Sequence, residues 1–149
     1  MLLNLLMGLP VIMLCLLLQA AFVALSLRQY VRVRNAHRKP DSLLWNTALL
    51  SLVLLLMLLG NFVQMGIWAA LFMMLDEFDT FATALYFSGV TFATLGYGDI
   101  VMSERWRLLS PLEAANGILM FGVSTAVMTA AVMDVIKRHT PRSQQRPDD

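Results

Sequence analysis

Charge is scarce in this chain. Asp, Glu, Lys and Arg make up 14% of its 149 residues, well short of the ~25% usual in soluble domains, while 58% are hydrophobic. That excludes a water-soluble domain, since no stretch outside the apolar runs is long enough to bury a core of its own. Cysteine is nearly absent. The single one, Cys15, lies inside an apolar run, so neither an intrachain disulfide nor a cysteine metal site can be built from it, and it reads as a small packed or lipid-facing residue. Nowhere do a nucleophile, a base and an orienting group cluster, which argues against an enzyme and against a cofactor. A net charge of +1 carries no signal for nucleic acid. What the chain does have is long apolar runs, with eleven methionines as filling, and these define an all-α membrane protein.

Residues 1–27 carry no charge. As a helix they reach about 40 Å, enough to cross a ~30 Å hydrocarbon core. Positive charge follows this run, where a signal peptide has it in front. Pro10 is a candidate kink, and Asn4 and Gln19 are polar enough to seek partners in a bundle. Residues 28–41 form a basic linker with Arg28, Arg32, Arg34, Arg38 and Lys39. The positive-inside rule makes it cytoplasmic and suited to anionic lipid headgroups. It lacks the regular spacing inside an apolar helix that a voltage sensor needs, His37 within it reads as solvated, and Pro40-Asp41-Ser42 closes it with helix-start residues.

Residues 42–75 are again uncharged, and the spacing predicts a second membrane helix. Asn61, Gln64 and Trp68 share one of its faces beside Gly60, so that face should meet protein. Asp76, Glu77 and Asp79 follow as an acidic loop that could concentrate cations. Asp79 or Thr80 can then cap a short helix over residues 80–92, with Tyr86 and Phe87 on it. Residues 80–98 carry no charge, so length alone permits a crossing. If they instead turn back, nine basic residues lie on one side and two, Arg105 and Arg107, on the other; if they cross, the split falls to seven and four. The positive-inside rule favours the re-entrant arrangement, and Gly89, Gly96 and Gly98 fit a lipid-facing helix poorly.

Ser110-Pro111-Leu112-Glu113 reads as a capping box with proline at the first helical position, starting a last membrane helix over residues 111–136. Gly122, Ala126 and Ala130 give it a small-xxx-small stripe. Thr125 and Thr129 lie on the adjacent strip, suited to lining a cavity. Asp134, near its end, is either an inner-mouth cation site or a partner for Lys137 or Arg138. Residues 137–149 form a polar tail.

The chain is organised around Thr94-Leu95-Gly96-Tyr97-Gly98-Asp99. Glycines at alternate positions allow left-handed geometry at every second residue, which turns successive carbonyls to one side. In hydrocarbon, unpaired carbonyls are tolerated only where they line a cavity or meet a ligand, here a partly dehydrated cation. This T-x-G-Y-G-D segment, set between apolar spans, resembles the selectivity filter of potassium channels, with Leu95 where valine is usual. From residue 42 to 138 the chain is similar to the two-helix pore module of prokaryotic members, with one extra N-terminal helix.

The resemblance implies a re-entrant pore helix and filter loop between two membrane helices, assembled as a homotetramer in a bacterial inner membrane; the extra N-terminal helix makes three transmembrane helices, and the nine-to-two basic count puts the N-terminus outside and the C-terminus in the cytoplasm. It implies K+ as the permeant ion at the backbone carbonyls of Thr94, Leu95, Gly96, Tyr97 and Gly98. It also implies Asp99, Tyr86, Phe87 and Val90 as outer-mouth and bracing residues, and Gly117, Gly122, Thr125 and Thr129 as hinge or cavity residues of the inner helix. Some members carry a glutamate four residues before the first filter threonine that pairs with the aspartate after G-Y-G; here that position is Val90, which leaves Tyr86 as the expected partner of Asp99. A weakly selective cation channel, because Leu95 is bulkier than valine, and a non-conducting scaffold subunit remain open.

Overall fold

The computed structural model describes residues 1–36 and 43–139. Four helices follow one another, α1 (Leu2–Ala36), α2 (Leu43–Met74), α3 (Phe81–Phe92) and α4 (Leu109–His139), and there is no strand among the described residues. Three of them are long and apolar enough to cross a membrane, whereas α3 is a short apolar helix. Its 12 residues reach only about 18 Å, well under the ~30 Å of a hydrocarbon core. Helix α1 packs on α2 and α4, and α3 is held between the same two helices.

Lipid tails are as apolar as leucine, so close packing and polar bonds hold such helices together. Around α3 the packing is aromatic. Trp68, Phe72, Phe87, Phe92 and Trp106 are buried together with Met102, Leu109 and Met120, and Phe87 meets Phe72 edge-on with ring centroids 5.5 Å apart. A second cluster, toward the far ends of α1 and α4, contains Tyr30, Leu49, Val53, Met57 and Val127. Polar side chains tie α1 to the loop before α4 and to the other long helices. Asn4 donates to Arg105 O at 2.9 Å, Gln64 to Gln19 Oε1 at 2.7 Å, and Gln19 to Ser124 Oγ at 3.2 Å. Asn61, Gln64 and Trp68 are all buried, and a Cβ on Gly60 would lie 3.0 Å from the Phe22 ring. That face of α2 therefore packs on α1.

Three features differ from expectation. Helix α1 continues to Ala36, so Arg28, Arg32 and Arg34 stand on helix, not in a linker. Nothing before Pro40 breaks a helix, and arginine favours one. Helix α4 begins at Leu109 and ends at His139, so Ser110 lies within its first turn and Glu113 is no capping residue; it is fully buried. Pro111 fits there because the first N–H groups of a helix have no partner to lose. The expected features at His37, Arg38, Lys39 and Pro40-Asp41-Ser42, and the tail from residue 140 on, lie outside the described residues.

Candidate functional site

Helix α3 starts at Thr80, which caps it by accepting from the Thr83 N–H at 3.2 Å. Its other end shapes the segment that follows. The Leu95 N–H donates to Val90 O and the Thr94 N–H to Thr91 O, both at 2.9 Å. This pair of bonds is a Schellman motif, which needs a left-handed residue just past the helix. Thr94 fills that place with φ +59°, Gly96 follows at +57° and Gly98 at +76°. Leu95 and Tyr97 between them are not left-handed, so the backbone alternates hand from 94 to 98. The alternation expected of the glycines thus begins one step earlier, on a threonine for which this geometry costs about 1–2 kcal/mol. The whole stretch from Thr94 to Asp99 is exposed on the single chain. Behind it lies a cavity of about 500 Å³, bordered by Phe87, Val90, Thr91, Thr94, Gly96 and Arg107.

Two struts hold this segment from the side of the loops. Tyr86 Oη donates to Asp99 Oδ2 at 2.7 Å within one chain, which pushes the Tyr86 phenol above its usual range because Asp99 gains from the proton it is offered. Val90 has no polar side-chain atom to contribute. Glu77, expected to attract cations, is instead a tie: its carboxylate accepts from the Ser103 N–H at 2.9 Å and from the Ser103 hydroxyl. Asp76 is the left-handed cap of α2, φ +56°, with the Glu77 N–H bonded to Phe72 O and its own N–H to Met73 O. Phe87 points into the aromatic core against Phe72 and Phe78.

Helix α4 backs the site through one face. Ser88 Oγ is 2.8 Å from Met65 O and 2.5 Å from Glu113 Oε1. One turn further along α4, a Cβ on Gly117 would sit 1.9 Å from Phe92 O. Gly117 is therefore demanded by packing. Gly122 has nothing within 4 Å of its Cβ position and lies on an exposed face with Ala126 and Ala130. The hydroxyls of Thr125 and Thr129 donate to Phe121 O and Thr125 O of their own helix, each at 2.9 Å. Both border a groove of about 370 Å³ between α2 and α4.

At the far end, Asp134, expected as an inner-mouth cation site or a partner of Lys137 or Arg138, also reaches α1: it accepts from Tyr30 Oη at 2.8 Å and pairs with Arg34. Arg34 also stacks on the Tyr30 ring, 5.6 Å from its centroid. Among the described residues no group of three or more His, Cys, Asp or Glu side chains comes together as a metal site. Ser88 and the Glu77 and Asp134 partners escape sequence reasoning because each depends on a residue distant along the chain, and the left-handed Thr94 because it follows from how α3 ends. Glu113, Asn116, Gly117 and Met120 do recur on one helix face, a spacing that marks the packed side of α4.

A family model described as an ion channel matches residues 52–134, more than half of the chain. No curated protein and no solved structure matches it.

Proposed function

The chain belongs to this ion channel family, and on that premise we propose that it is the subunit of a potassium-selective channel that conducts K+ passively through a homotetrameric pore. The observation that carries the proposal is the backbone of alternating hand from Thr94 to Gly98. Such a segment offers carbonyls of Thr94, Leu95, Gly96, Tyr97 and Gly98 in place of an ion's hydration shell. One chain supplies one such segment, and a ring needs several. On this reading α3 is a re-entrant pore helix whose C-terminal end, carrying roughly −0.5 elementary charge, favours a cation beside it. Leu95 and Tyr97, 56% and 66% exposed on the single chain, turn away from the pore and brace the filter, as do Tyr86 and Asp99. Thr125 and Thr129 face the cavity below, and Gly122 is the free bending point of the inner helix.

The test is flux in liposomes under a potassium gradient, with sodium as comparison ion. Potassium-selective flux is the expected result. Equal sodium flux makes the protein a weakly selective cation channel with Leu95 the first suspect, and no flux makes it a scaffold.

The arginines set the proposed orientation, N-terminus outside and C-terminus cytoplasmic in a bacterial inner membrane. With Arg34 engaged by Asp134, Arg28 and Arg32, both exposed, are the described residues of the expected basic linker that could meet anionic headgroups. An Asn35→Cys variant in a Cys15→Ser background should resist an impermeant thiol reagent added outside intact cells; ready labelling would invert the orientation.

A further inference from the structure

We infer that Glu113 is a positioning residue for the filter: through Ser88 it fixes the pore helix between α2 and α4, and so fixes where the carbonyls of residues 94–98 stand. The inference rests on the channel reading above. Glu113 and Ser88 are both completely buried, and Ser88 Oγ lies within hydrogen-bond reach of Glu113 Oε1 on one side and Met65 O on the other. Three helices thus share one hydroxyl. The contact falls at the middle of α3, and the close approach of Gly117 to Phe92 O falls at its end, next to the Schellman bonds that place Thr94. Both contacts come from one face of α4, one helical turn apart. Between them they hold the short helix at two points along its length, so a rotation or slide of α3 must break one or the other.

A carboxyl is a costly choice for this position. An apolar side chain of similar volume would fill the space without desolvating a polar group in a membrane protein's interior. Nor is the cost recovered nearby: Glu113 Oε2 has no hydrogen-bond partner within the described chain. A local conflict of this kind is expected where function imposes it. What the carboxyl adds over a hydrocarbon is direction, because a hydrogen bond holds distance and angle where apolar packing allows sliding.

The test compares Ser88→Ala, Glu113→Ala and Glu113→Gln with the wild type in liposomes, reading the ratio of potassium to sodium flux, with thermal stability in detergent as control. A glutamine amide can donate to Ser88 Oγ and leave the Ser88 proton for Met65 O, so Glu113→Gln should keep the wild-type ratio. Ser88→Ala and Glu113→Ala should each lower it by about tenfold or more, and the double variant should be no worse than the poorer single one, since both remove the same bond. If Glu113→Ala does not assemble, Ser88→Ala, which removes a single oxygen, decides. Wild-type selectivity in assembled Ser88→Ala overturns the inference, as does a Glu113→Gln variant as unselective as Glu113→Ala. A wild type that shows no selectivity overturns the channel reading itself, and this inference with it.

Discussion

Around α3 eleven buried residues form one cluster; toward the far ends of α1 and α4 the second cluster has five. The first is edge-on and tilted aromatic pairs, a glycine contact to a backbone carbonyl, and side-chain bonds to Glu113, Asp99 and Glu77. The second is mostly aliphatic around Tyr30, is flanked by the open groove between α2 and α4, and is closed by the Arg34–Asp134 pair with Tyr30. A strained backbone persists only where its surroundings over-determine it, and Thr94 at φ +59°, itself exposed, follows directly on the packed end of α3, where Phe92 is buried. The end away from α3 has fewer buried residues in contact. On the proposed channel reading the first cluster would hold the filter fixed and the second would let the inner helix move.

The comparison breaks most sharply at the glycines. Gly96→Ala or Gly98→Ala should abolish selective conduction while leaving the chain inserted. Neither site has an atom within 4 Å of a new Cβ, so the damage is conformational: a β-carbon at positive φ costs about 1–2 kcal/mol per residue, repeated in every subunit. Single-channel recording showing normal selectivity in both would refute a carbonyl filter. Next in size is the contrast within α4. Gly117→Ala forces a Cβ to 1.9 Å from Phe92 O and should destabilise the assembly by about 1–3 kcal/mol, whereas Gly122→Ala should melt like the wild type. Equal melting temperatures for the two variants would mean that α3 and α4 are not in backbone contact.

Asp134→Asn probes the looser half. Its side chain and that of Arg34 are 38% and 24% exposed, so solvent screening limits the pair to about 1 kcal/mol or less. Open probability should shift up to about fivefold with the potassium-to-sodium ratio untouched, and a changed ratio would show that the two halves are not separate. Smallest is Tyr86→Phe, which should shorten open lifetime without altering Val90 packing. The bond to Asp99 raises the phenol's proton affinity, so its contribution is intact below the usual tyrosine range, near pH ~10, and is lost as pH rises through the elevated value. Wild-type current should therefore decline at high alkaline pH over a range where Tyr86→Phe does not respond, and identical pH profiles would remove Tyr86 from the account.

The helices were legible because uncharged runs and the Thr80 cap are local signals, and the glycine alternation is written into the 94–98 segment itself. Glu113 misled because Ser-x-x-Glu reads as a capping box whenever the burial of the glutamate is unknown. Arg28 to Arg34 misled because charge marks where a helix leaves the membrane and says nothing about where it stops. Asp134 needed a partner one hundred residues away, and the left-handed Thr94 follows from the way α3 ends, which residue type alone does not announce.

The most direct test of the central claim is the reversal potential of the purified protein in a planar bilayer with potassium on one side and sodium on the other. A filter built by residues 94–98 predicts a reversal potential displaced far toward the potassium equilibrium potential, and collapse of that displacement in Gly96→Ala. A reversal potential near zero in the wild type, or one unaffected by Gly96→Ala, would contradict it.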